Sequence, residues 1–152
     1  VFEQAGCKVD CGENSVHILA PVRLRSVQTV RTMPYPGFPT DSQAAVMAML
    51  SVAHGTSVMI ENIFENRYKY MTELQRMGAK ITIEGKMAVI KGVRKLSGAS
   101  VNSADLRGGA ALVLAGLIAK GKTQVDDIEY ILRGYEKLDY KLQNLGANIN
   151  VE

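Results

Sequence analysis

The chain has 152 residues, and 18 Lys and Arg against 15 Asp and Glu give it a formal net charge of +3. Apolar residues make up 47% and charged residues 22%, which is a globular composition and excludes the disordered, collagen-like and disulfide-rich classes. So small a positive surplus does not indicate a nucleic-acid partner, and no apolar run reaches the ~20 residues of a membrane-spanning helix. The sequence starts at Val1 with neither an initiator Met nor a signal-peptide pattern, so we expect it to begin inside a longer protein.

The two cysteines, Cys7 and Cys11, are four positions apart. A structural zinc site needs four ligands, and neither His17 nor His54 has ligand spacing from this pair, so we predict no metal site. On a strand, residues four apart share a face, and two small buried thiols are the simpler interpretation. The pair indicates no disulfide framework, which fits a reducing compartment.

The chain contains an internal repeat. An apolar residue followed four positions later by Gly, and then by small, polar and β-branched residues, recurs in residues 2–9, 74–81 and 142–149. The three glycines lie 72 and 68 positions apart, and the two fuller copies also match upstream at an offset of 66. A period near 70 is longer than that of common solenoid units. We therefore divide the chain into the tail of one repeat (1–20), a second repeat (21–92) and a third repeat (93–152).

Each fuller repeat is predicted to contain a helix that is apolar on every side. Residues 27–32 alternate like a strand, and Thr40 with Gln43 has the spacing of a capping box that opens a helix over 41–54. The counterpart helix spans 105–120. A helix without a polar face is buried all round, and both are too short to cross a bilayer.

A second, amphipathic helix follows in each repeat, with apolar residues at i, i+4 and i+7 in Tyr70, Leu74 and Met77 and again in Leu138, Leu142 and Leu145. Gly78 and Gly146 are predicted to end these helices in a left-handed conformation. Residues 79–84 and 87–90, joined by a Gly-Lys turn, indicate a hairpin. The order per repeat is β-α-β-α-β-β, so the fold class is α/β: repeated units around buried apolar helices, in an incomplete domain.

The segment 116–123 matches the phosphate-binding string G-x-x-x-x-G-K-[ST], but its context argues against such a loop. A phosphate-binding loop needs a strand before its first Gly and a helix after its Lys. Here Gly116 lies inside a predicted helix and residues 123–125 resemble a strand. We predict that Gly121 ends a helix, as Gly55 does in the other repeat.

Charged residues recur at the ends of the buried helices. Asp41 lies in the first turn of one, while Asp105 and Arg107 open the other; Arg107 opposes the helix dipole there and so requires a specific reason. Arg67 and Arg133 occupy matching places before the amphipathic helices. The arginines form either surface salt bridges, each worth under ~1 kcal/mol, or a convergent cluster with helix N-termini that binds a multiply charged anion.

Five motifs stand in order along the chain: residues 36–44 (PGFPTDSQA), 61–67 (ENIFENR), 95–99 (KLSGA), 105–107 (DLR) and 133–136 (RGYE). Together they closely resemble the UDP-N-acetylglucosamine 1-carboxyvinyltransferase family over essentially the whole chain. The resemblance implies the enolpyruvyl transferase-like inside-out α/β barrel, with three units per domain. It implies enolpyruvyl transfer from phosphoenolpyruvate to the 3′-hydroxyl of UDP-N-acetylglucosamine in the bacterial cytoplasm, the first committed step of peptidoglycan synthesis, without cofactor or metal.

The resemblance also implies the roles of the charged residues. Asp41 matches the family's general base, which takes the proton of the sugar hydroxyl. Arg107 and Arg133, with Arg67 nearby, match the arginines that bind the phosphate and carboxylate of phosphoenolpyruvate.

Three further residues are implied at the same site: Ile63 through its backbone against the nucleotide sugar, Phe64 as part of the lining, and Asp105 near the reacting centre. The family's Lys-Asn pair and its mobile Cys loop have no match here, so neither Cys7 nor Cys11 is expected to be catalytic. We expect the chain alone to be inactive. We also expect the missing remainder of the enzyme, or a second chain, to cover its apolar helices.

Two other functions remain open. A sister 5-enolpyruvylshikimate-3-phosphate synthase would use a different acceptor on the same fold. An RNA-binding module of related repeat fold is disfavoured by the small charge and by six Tyr and three Phe without a basic-aromatic run. A purely structural domain would leave Asp41 and the matched arginines unexplained.

Overall fold

The computed structural model of the chain describes residues 1–151. The strands of this part are β1 (Lys8–Cys11), β2 (Val16–Leu19), β3 (Thr29–Arg31), β4 (Thr56–Ile60), β5 (Lys80–Glu84), β6 (Met87–Lys91), β7 (Ser100–Asn102) and β8 (Gln124–Asp126). The helices are α1 (Gln43–Leu50), α2 (Met71–Arg76), α3 (Leu106–Ile118), α4 (Glu129–Leu132) and α5 (Leu138–Asn144), and a short 3-10 helix, Thr40–Ser42, precedes α1.

The second repeat forms a full β-α-β-α-β-β unit. Its four strands make one sheet in the order β3-β4-β6-β5, in which β3 and β4 are parallel and the other pairs antiparallel. Parallel neighbours need a long crossover, which α1 supplies. The strands β5 and β6 are the predicted hairpin, with Glu84 opposite Met87 and Gly85 in the turn at a φ of 57°. The predicted order of elements is confirmed.

The flanking units contain parts of the same pattern. The strands β1 and β2 form an antiparallel hairpin, and β7 and β8 form a parallel pair joined through α3. The helices α1 and α3 pack against each other, and their buried residues belong to one hydrophobic core. Apolar helices at the centre are therefore confirmed, although both helices are shorter than predicted. The repeat boundaries themselves remain a proposed division.

The glycines that define the repeat share one backbone conformation. Gly6, Gly78 and Gly146 have φ angles of 93°, 92° and 91°, in a region that L side chains rarely adopt. Gly78 and Gly146 lie just after α2 and α5, so they end these helices as predicted. The recurrence of Gly at this place thus follows from the backbone that each unit needs.

The capping box predicted for Thr40 and Gln43 is wrong. Thr40 begins the 3-10 helix, whose N-cap Pro39 makes no side-chain hydrogen bond, and α1 starts only at Gln43. The Thr40 hydroxyl donates to Glu61 Oε2 at 2.9 Å, while the fully buried Gln43 accepts the Tyr70 hydroxyl at 2.9 Å. The two side chains serve buried groups that need partners, the Glu61 carboxylate and the Tyr70 hydroxyl, whereas water can reach an open helix end. The Nε2 of Gln43 itself is buried without a partner among the described residues.

The apolar helices are not covered equally. Six of the eight residues of α1 are buried, whereas α3 exposes Leu114, Leu117 and Ile118 at 40%, 40% and 49%. The apolar face of α2 is fully buried, but α5 contains no buried residue, and Leu145 after it is 83% exposed. The hairpin β5–β6 follows α2 in the second repeat, and no strand follows α5 among the described residues.

The prediction of two buried thiols is half wrong. Cys7 is 7% exposed, but Cys11 at the end of β1 is exposed, and both are free. The hairpin β1–β2 has only two strands, and its residues are exposed almost throughout. Lying on a particular face of this hairpin therefore does not bury a residue. Cys7 itself precedes β1 and follows the turn formed by residues 2–6.

The structure also places the segment that matches the phosphate-binding string. Gly116 lies within α3, and the residues after Lys122 enter β8 rather than a helix, which excludes a phosphate-binding loop as predicted. No helix within residues 1–151 combines the length and apolar character needed to cross a bilayer. The same residues contain no group of three or more His, Cys, Asp or Glu side chains placed to hold a metal ion.

Candidate functional site

Asp41 is the centre of a charged cluster at the start of the buried helices. Its side chain is 58% exposed; Oδ1 accepts a hydrogen bond from Arg67 Nη2 at 3.1 Å, and Oδ2 accepts one from Arg107 Nη2 at 2.7 Å. The hydrogen bond from Arg107, opposed by partial burial and assisted by the charges of both arginines, lowers the pKa of Asp41. Asp41 is therefore ionised at neutral pH, with both oxygens paired.

Arg107 lies in the first turn of α3, where its charge opposes the helix dipole, and its contacts supply the reason. Besides Asp41, it binds Tyr135: Nη1 donates to the phenol oxygen at 3.0 Å, and the guanidinium carbon lies 5.6 Å from the ring centroid. The hydrogen bonds to Tyr135 and Asp41 raise the pKa of Arg107. A guanidinium has five N–H donors, so this one is held in place and keeps donors for a ligand.

Asp105 caps α3. Its Oδ1 accepts the backbone N–H of Arg107 at 3.0 Å and that of Gly108 at 2.7 Å. An acidic N-cap satisfies N–H groups that the helix leaves free and complements the dipole. Since Asp105 occupies these donors, an anion at this place must be bound by the arginine side chains rather than by the helix N-terminus. Asp105 also fixes the backbone of Arg107.

Ile63 and Phe64 lie in the loop after β4, where their N–H groups donate to Glu61 Oε1 at 2.8 and 3.1 Å. Their side chains are exposed and line a groove of about 430 Å³ that also includes Asp41. The guanidinium carbon of Arg67 lies 5.3 Å from the centroid of the Phe64 ring. The apolar groove and the charged cluster therefore lie next to each other. A ligand with both apolar and anionic parts needs a site of this kind.

Glu61, which is 1% exposed, is a residue of the site that was not predicted from the sequence. Burial raises its pKa, but the N–H of Ile63, the hydroxyl of Thr32, the N–H of Phe64 and the hydroxyl of Thr40 together outweigh burial and lower it. Glu61 therefore remains ionised in the interior. The available signal was its position directly after a strand, at the start of the ENIFENR motif.

Within residues 1–151, Arg133 forms no salt bridge with Asp41. It is exposed at the end of α4, and the salt bridges formed by the described residues do not include it. It precedes Tyr135, the partner of Arg107, by two positions. The structure brings four of the expected site residues into direct contact: Asp41, Phe64, Arg67 and Arg107.

Solved structures with this architecture are enolpyruvyl transferases. The enolpyruvyl transferase NikO from Streptomyces tendae matches with a TM-score of 0.87 and 27% identity, over 98% of this chain and 34% of that one. EPSP synthase from Acinetobacter baumannii shares the fold, with a TM-score of 0.73 and 22% identity, over 99% of this chain and 36% of that one. The fold is thus that of the enolpyruvyl transferases, as expected.

The chain belongs to the EPSP synthase (3-phosphoshikimate 1-carboxyvinyltransferase) family, whose profile matches residues 1–142. Similar proteins are named UDP-N-acetylglucosamine 1-carboxyvinyltransferase. That of Desulfofundulus thermocisternus is 53% identical over 97% of this chain and 60% of the relative. That of Thermodesulfovibrio yellowstonii is 57% identical over 97% of this chain and 35% of the relative. The resemblance is confirmed, and the chain spans only part of the relatives it matches.

Proposed function

We propose that an enzyme containing this chain transfers the enolpyruvyl group of phosphoenolpyruvate to the 3′-hydroxyl of UDP-N-acetylglucosamine and releases phosphate. The observation that carries the proposal is the pairing of Asp41 with Arg67 and Arg107 beside an apolar groove. Relatives more than half identical carry the name of this activity. Because the chain spans 60% and 35% of those relatives, the activity is proposed for an enzyme of their length.

Asp41 is proposed as the general base. In this reaction the methylene carbon of phosphoenolpyruvate gains a proton, its neighbour becomes cationic, and the sugar hydroxyl adds there while losing its proton. The new methyl group then loses a proton and phosphate leaves, which restores the carbon–carbon double bond of the enolpyruvyl product. In the free chain the two arginines lower the pKa of Asp41, which makes it a weak base. An anionic substrate bound to the remaining donors of Arg67 and Arg107 adds negative charge beside Asp41 and raises its pKa, so the base becomes active when the substrate binds.

The arginines are proposed to bind the phosphate and carboxylate of phosphoenolpyruvate. Arg107 is held by Tyr135 and Arg67 by the Phe64 ring, so their guanidinium groups are placed before a ligand arrives. Cations that are already in place need little rearrangement, and so little free energy, to stabilise the negative charge that develops in the reaction. Exposed Arg133 supplies a further cation to the bound ligand, and Asp105 positions Arg107 through its backbone.

The loop of Ile63 and Phe64 is proposed to bind the nucleotide sugar. Both side chains line the groove next to Asp41, so a sugar in the groove places its hydroxyl near that carboxylate. The N–H of Ile63 is already bound to Glu61, so a backbone contact with the sugar must use the Ile63 carbonyl oxygen.

The setting proposed for this enzyme is the bacterial cytoplasm, where the reaction opens peptidoglycan synthesis and thereby serves cell shape and division. The chain offers one wall of a site, since Asp41 is 58% exposed beside an open groove, so we expect no turnover by the chain alone. The exposed face of α3, formed by Leu114, Leu117 and Ile118, is proposed to be covered by the remainder of the enzyme.

A second candidate acceptor is shikimate 3-phosphate, which the name of the matching family profile favours. The two acceptors differ in chemistry, because UDP-N-acetylglucosamine offers the flat face of its uracil ring and the methyl of its acetyl group to an apolar groove, whereas shikimate 3-phosphate is smaller and carries more charge for its size. The groove lining of Met33, Pro34, Ile63 and Phe64 favours the nucleotide sugar.

Titration calorimetry separates these proposals. The chain is titrated with UDP-N-acetylglucosamine and then with shikimate 3-phosphate as a competitor, and Asp41→Ala is compared with Asp10→Ala on the exposed strand β1. We expect saturable binding of the nucleotide sugar that Asp41→Ala weakens and Asp10→Ala does not. Preferential binding of shikimate 3-phosphate would reverse the assignment of the acceptor.

A further inference from the structure

Glu61 is a buried carboxylate whose charge is balanced by neutral donors. The residue is 1% exposed, and the salt bridges found within residues 1–151 do not involve it. Oε1 accepts the Thr32 hydroxyl at 2.8 Å and the N–H groups of Ile63 and Phe64 at 2.8 and 3.1 Å. Oε2 accepts the Thr40 hydroxyl at 2.9 Å. Such hydrogen bonds are what a buried carboxylate needs in order to remain ionised.

The donors come from separate segments of the chain. Thr32 follows β3, Thr40 begins the 3-10 helix that contains Asp41, and the two N–H groups belong to the loop that lines the groove. The N–H of Asn62 donates to Thr32 Oγ1 at 2.8 Å, which leaves the Thr32 hydroxyl proton for Glu61. One carboxylate therefore joins the end of β3, the segment of Asp41 and the groove loop.

These contacts close a ring around the charged cluster. Phe64 is bound to Glu61 through its N–H, and its side chain packs on Arg67. Arg67 binds Asp41 at 3.1 Å, and Thr40, which precedes Asp41, returns the ring to Glu61. A change at Glu61 therefore reaches Asp41 from two sides, through Thr40 and through the stacked pair of Phe64 and Arg67.

We propose that Glu61 is a positioning residue of the substrate site: it touches no substrate, and its carboxylate holds Asp41 and the Phe64–Arg67 pair in the arrangement that binds a nucleotide sugar. The identity of the ligand rests on the proposed function, whereas the positioning role of Glu61 rests on the geometry described above. Only an ionised carboxylate accepts from all four donors, because an amide has one accepting oxygen and presents N–H groups in place of the other. The lowered pKa of Glu61 agrees with this requirement.

The test compares the 152-residue chain with three variants: Glu61→Gln, Thr40→Val and Glu73→Gln. Glu73 is the matched control, because its carboxylate accepts the N–H of Asn102 and forms a salt bridge with Arg76, so its loss removes structural contacts of α2 rather than contacts of the groove loop. Amide resonances of Asp41 and Phe64 are followed by nuclear magnetic resonance. The Kd for UDP-N-acetylglucosamine and the melting temperature are measured alongside.

We expect Glu61→Gln to shift the Asp41 and Phe64 resonances and to raise the Kd about tenfold, the loss typical of a hydrogen-bonded buried charge. Thr40→Val removes a single donor and should move the same resonances and the Kd in the same direction by a smaller factor. Glu73→Gln should leave the resonances and the Kd unchanged, whatever its effect on the melting temperature.

A Glu61→Gln variant with a lower melting temperature but an unchanged Kd and unchanged Asp41 resonance overturns the proposal, since the role is then structural. If the unsubstituted chain does not bind UDP-N-acetylglucosamine, the proposed function fails for this chain. Whether Glu61 positions Asp41 is then decided from the amide resonances alone. Shifts at Asp41 in Glu61→Gln and Thr40→Val but not in Glu73→Gln support it, and their absence overturns it.

Discussion

Asp41 and Arg107 pair at 2.7 Å although they lie 66 positions apart, which is the offset that relates the second and third repeats. They therefore occupy equivalent places, each at the start of a buried helix. Because the two helices pack against each other, these places meet, and one repeat supplies a carboxylate where the other supplies a guanidinium. The centre of the charged cluster therefore lies where the proposed second and third repeats meet.

Replacing Asp41 by Asn removes the proposed base while keeping the shape of the side chain. General bases contribute about 10²–10⁴-fold, so phosphate release should fall by at least about 100-fold. The free energy of unfolding should change by less than about 1 kcal/mol, because the salt bridges of this exposed carboxyl are of the weak surface kind. Both are measured in a hybrid enzyme in which this chain replaces the matching segment of the Thermodesulfovibrio yellowstonii relative. Asp10→Asn is the control, and equal activity of the two variants contradicts the role.

Arg107→Lys keeps the charge but loses the planar fork that contacts Asp41 and Tyr135 together. We expect the hybrid enzyme to show a KM for phosphoenolpyruvate at least about tenfold higher, as for loss of a charge-assisted hydrogen bond. Tyr135→Phe keeps the ring under the guanidinium and should have a smaller effect in the same direction. Unchanged KM values in both variants would show that Arg107 does not bind this substrate.

Lowering the pH should reduce the free energy of unfolding, because Glu61 becomes protonated. Its pKa in the folded chain lies below the ordinary value of 4.5, so the stabilisation by its carboxylate is present above that pH and is lost as the pH falls through the folded pKa. Urea denaturation between pH 3 and pH 6, a range chosen around that value, should show the loss in the unsubstituted chain and a flatter profile in Glu61→Gln. Glu84→Gln, at the exposed end of β5, should retain the steep profile.

Gly78 should resist substitution for reasons of backbone conformation alone. Its φ is 92°, and a Cβ added there would meet no atom within 4 Å, so crowding plays no part. Gly78→Ala should destabilise the chain by about 1 kcal/mol or more, and Gly78→Asn by less, because Asn tolerates positive φ better. Thermal denaturation gives both values, and equal melting temperatures for Ala and Gly would refute the conformational argument.

Leu117→Glu on the exposed face of α3 should reduce self-association of the chain in sedimentation experiments without loss of stability, since the side chain is 40% exposed. Leu112→Ala on the same helix is the contrast. That residue is fully buried, and its truncation should cost about 2–5 kcal/mol. A large loss of stability in Leu117→Glu would instead show that the face is packed within the chain.

Local and periodic features could be predicted from the sequence. The helix-ending glycines and the order of elements follow from spacing. A convergent cluster of arginines is one of two alternatives that the sequence leaves open, and the part of Asp41 in it is implied by the resemblance. Long-range partners could not be predicted. Thr40 has the sequence of a cap, but it binds Glu61, 21 positions away, and Gln43 turns inward to Tyr70, 27 positions away.

Glu61 itself resembles any carboxylate after a strand until Thr32, 29 positions earlier, is folded against it. The exposure of Cys11 is a similar case, because it depends on what covers a hairpin and not on the strand's own pattern. Spacing along the chain therefore predicts the elements and the face on which a residue lies. The degree to which a residue is buried depends on neighbouring elements that spacing alone does not identify.

The acceptor that the hybrid enzyme uses distinguishes the two proposed reactions. Phosphate release from phosphoenolpyruvate is measured with UDP-N-acetylglucosamine, with shikimate 3-phosphate and without an acceptor, and the same three assays are run on Asp41→Asn. We expect phosphate release that depends on UDP-N-acetylglucosamine and is lost in Asp41→Asn. Release supported by shikimate 3-phosphate instead, or release unaffected by Asp41→Asn, would contradict it.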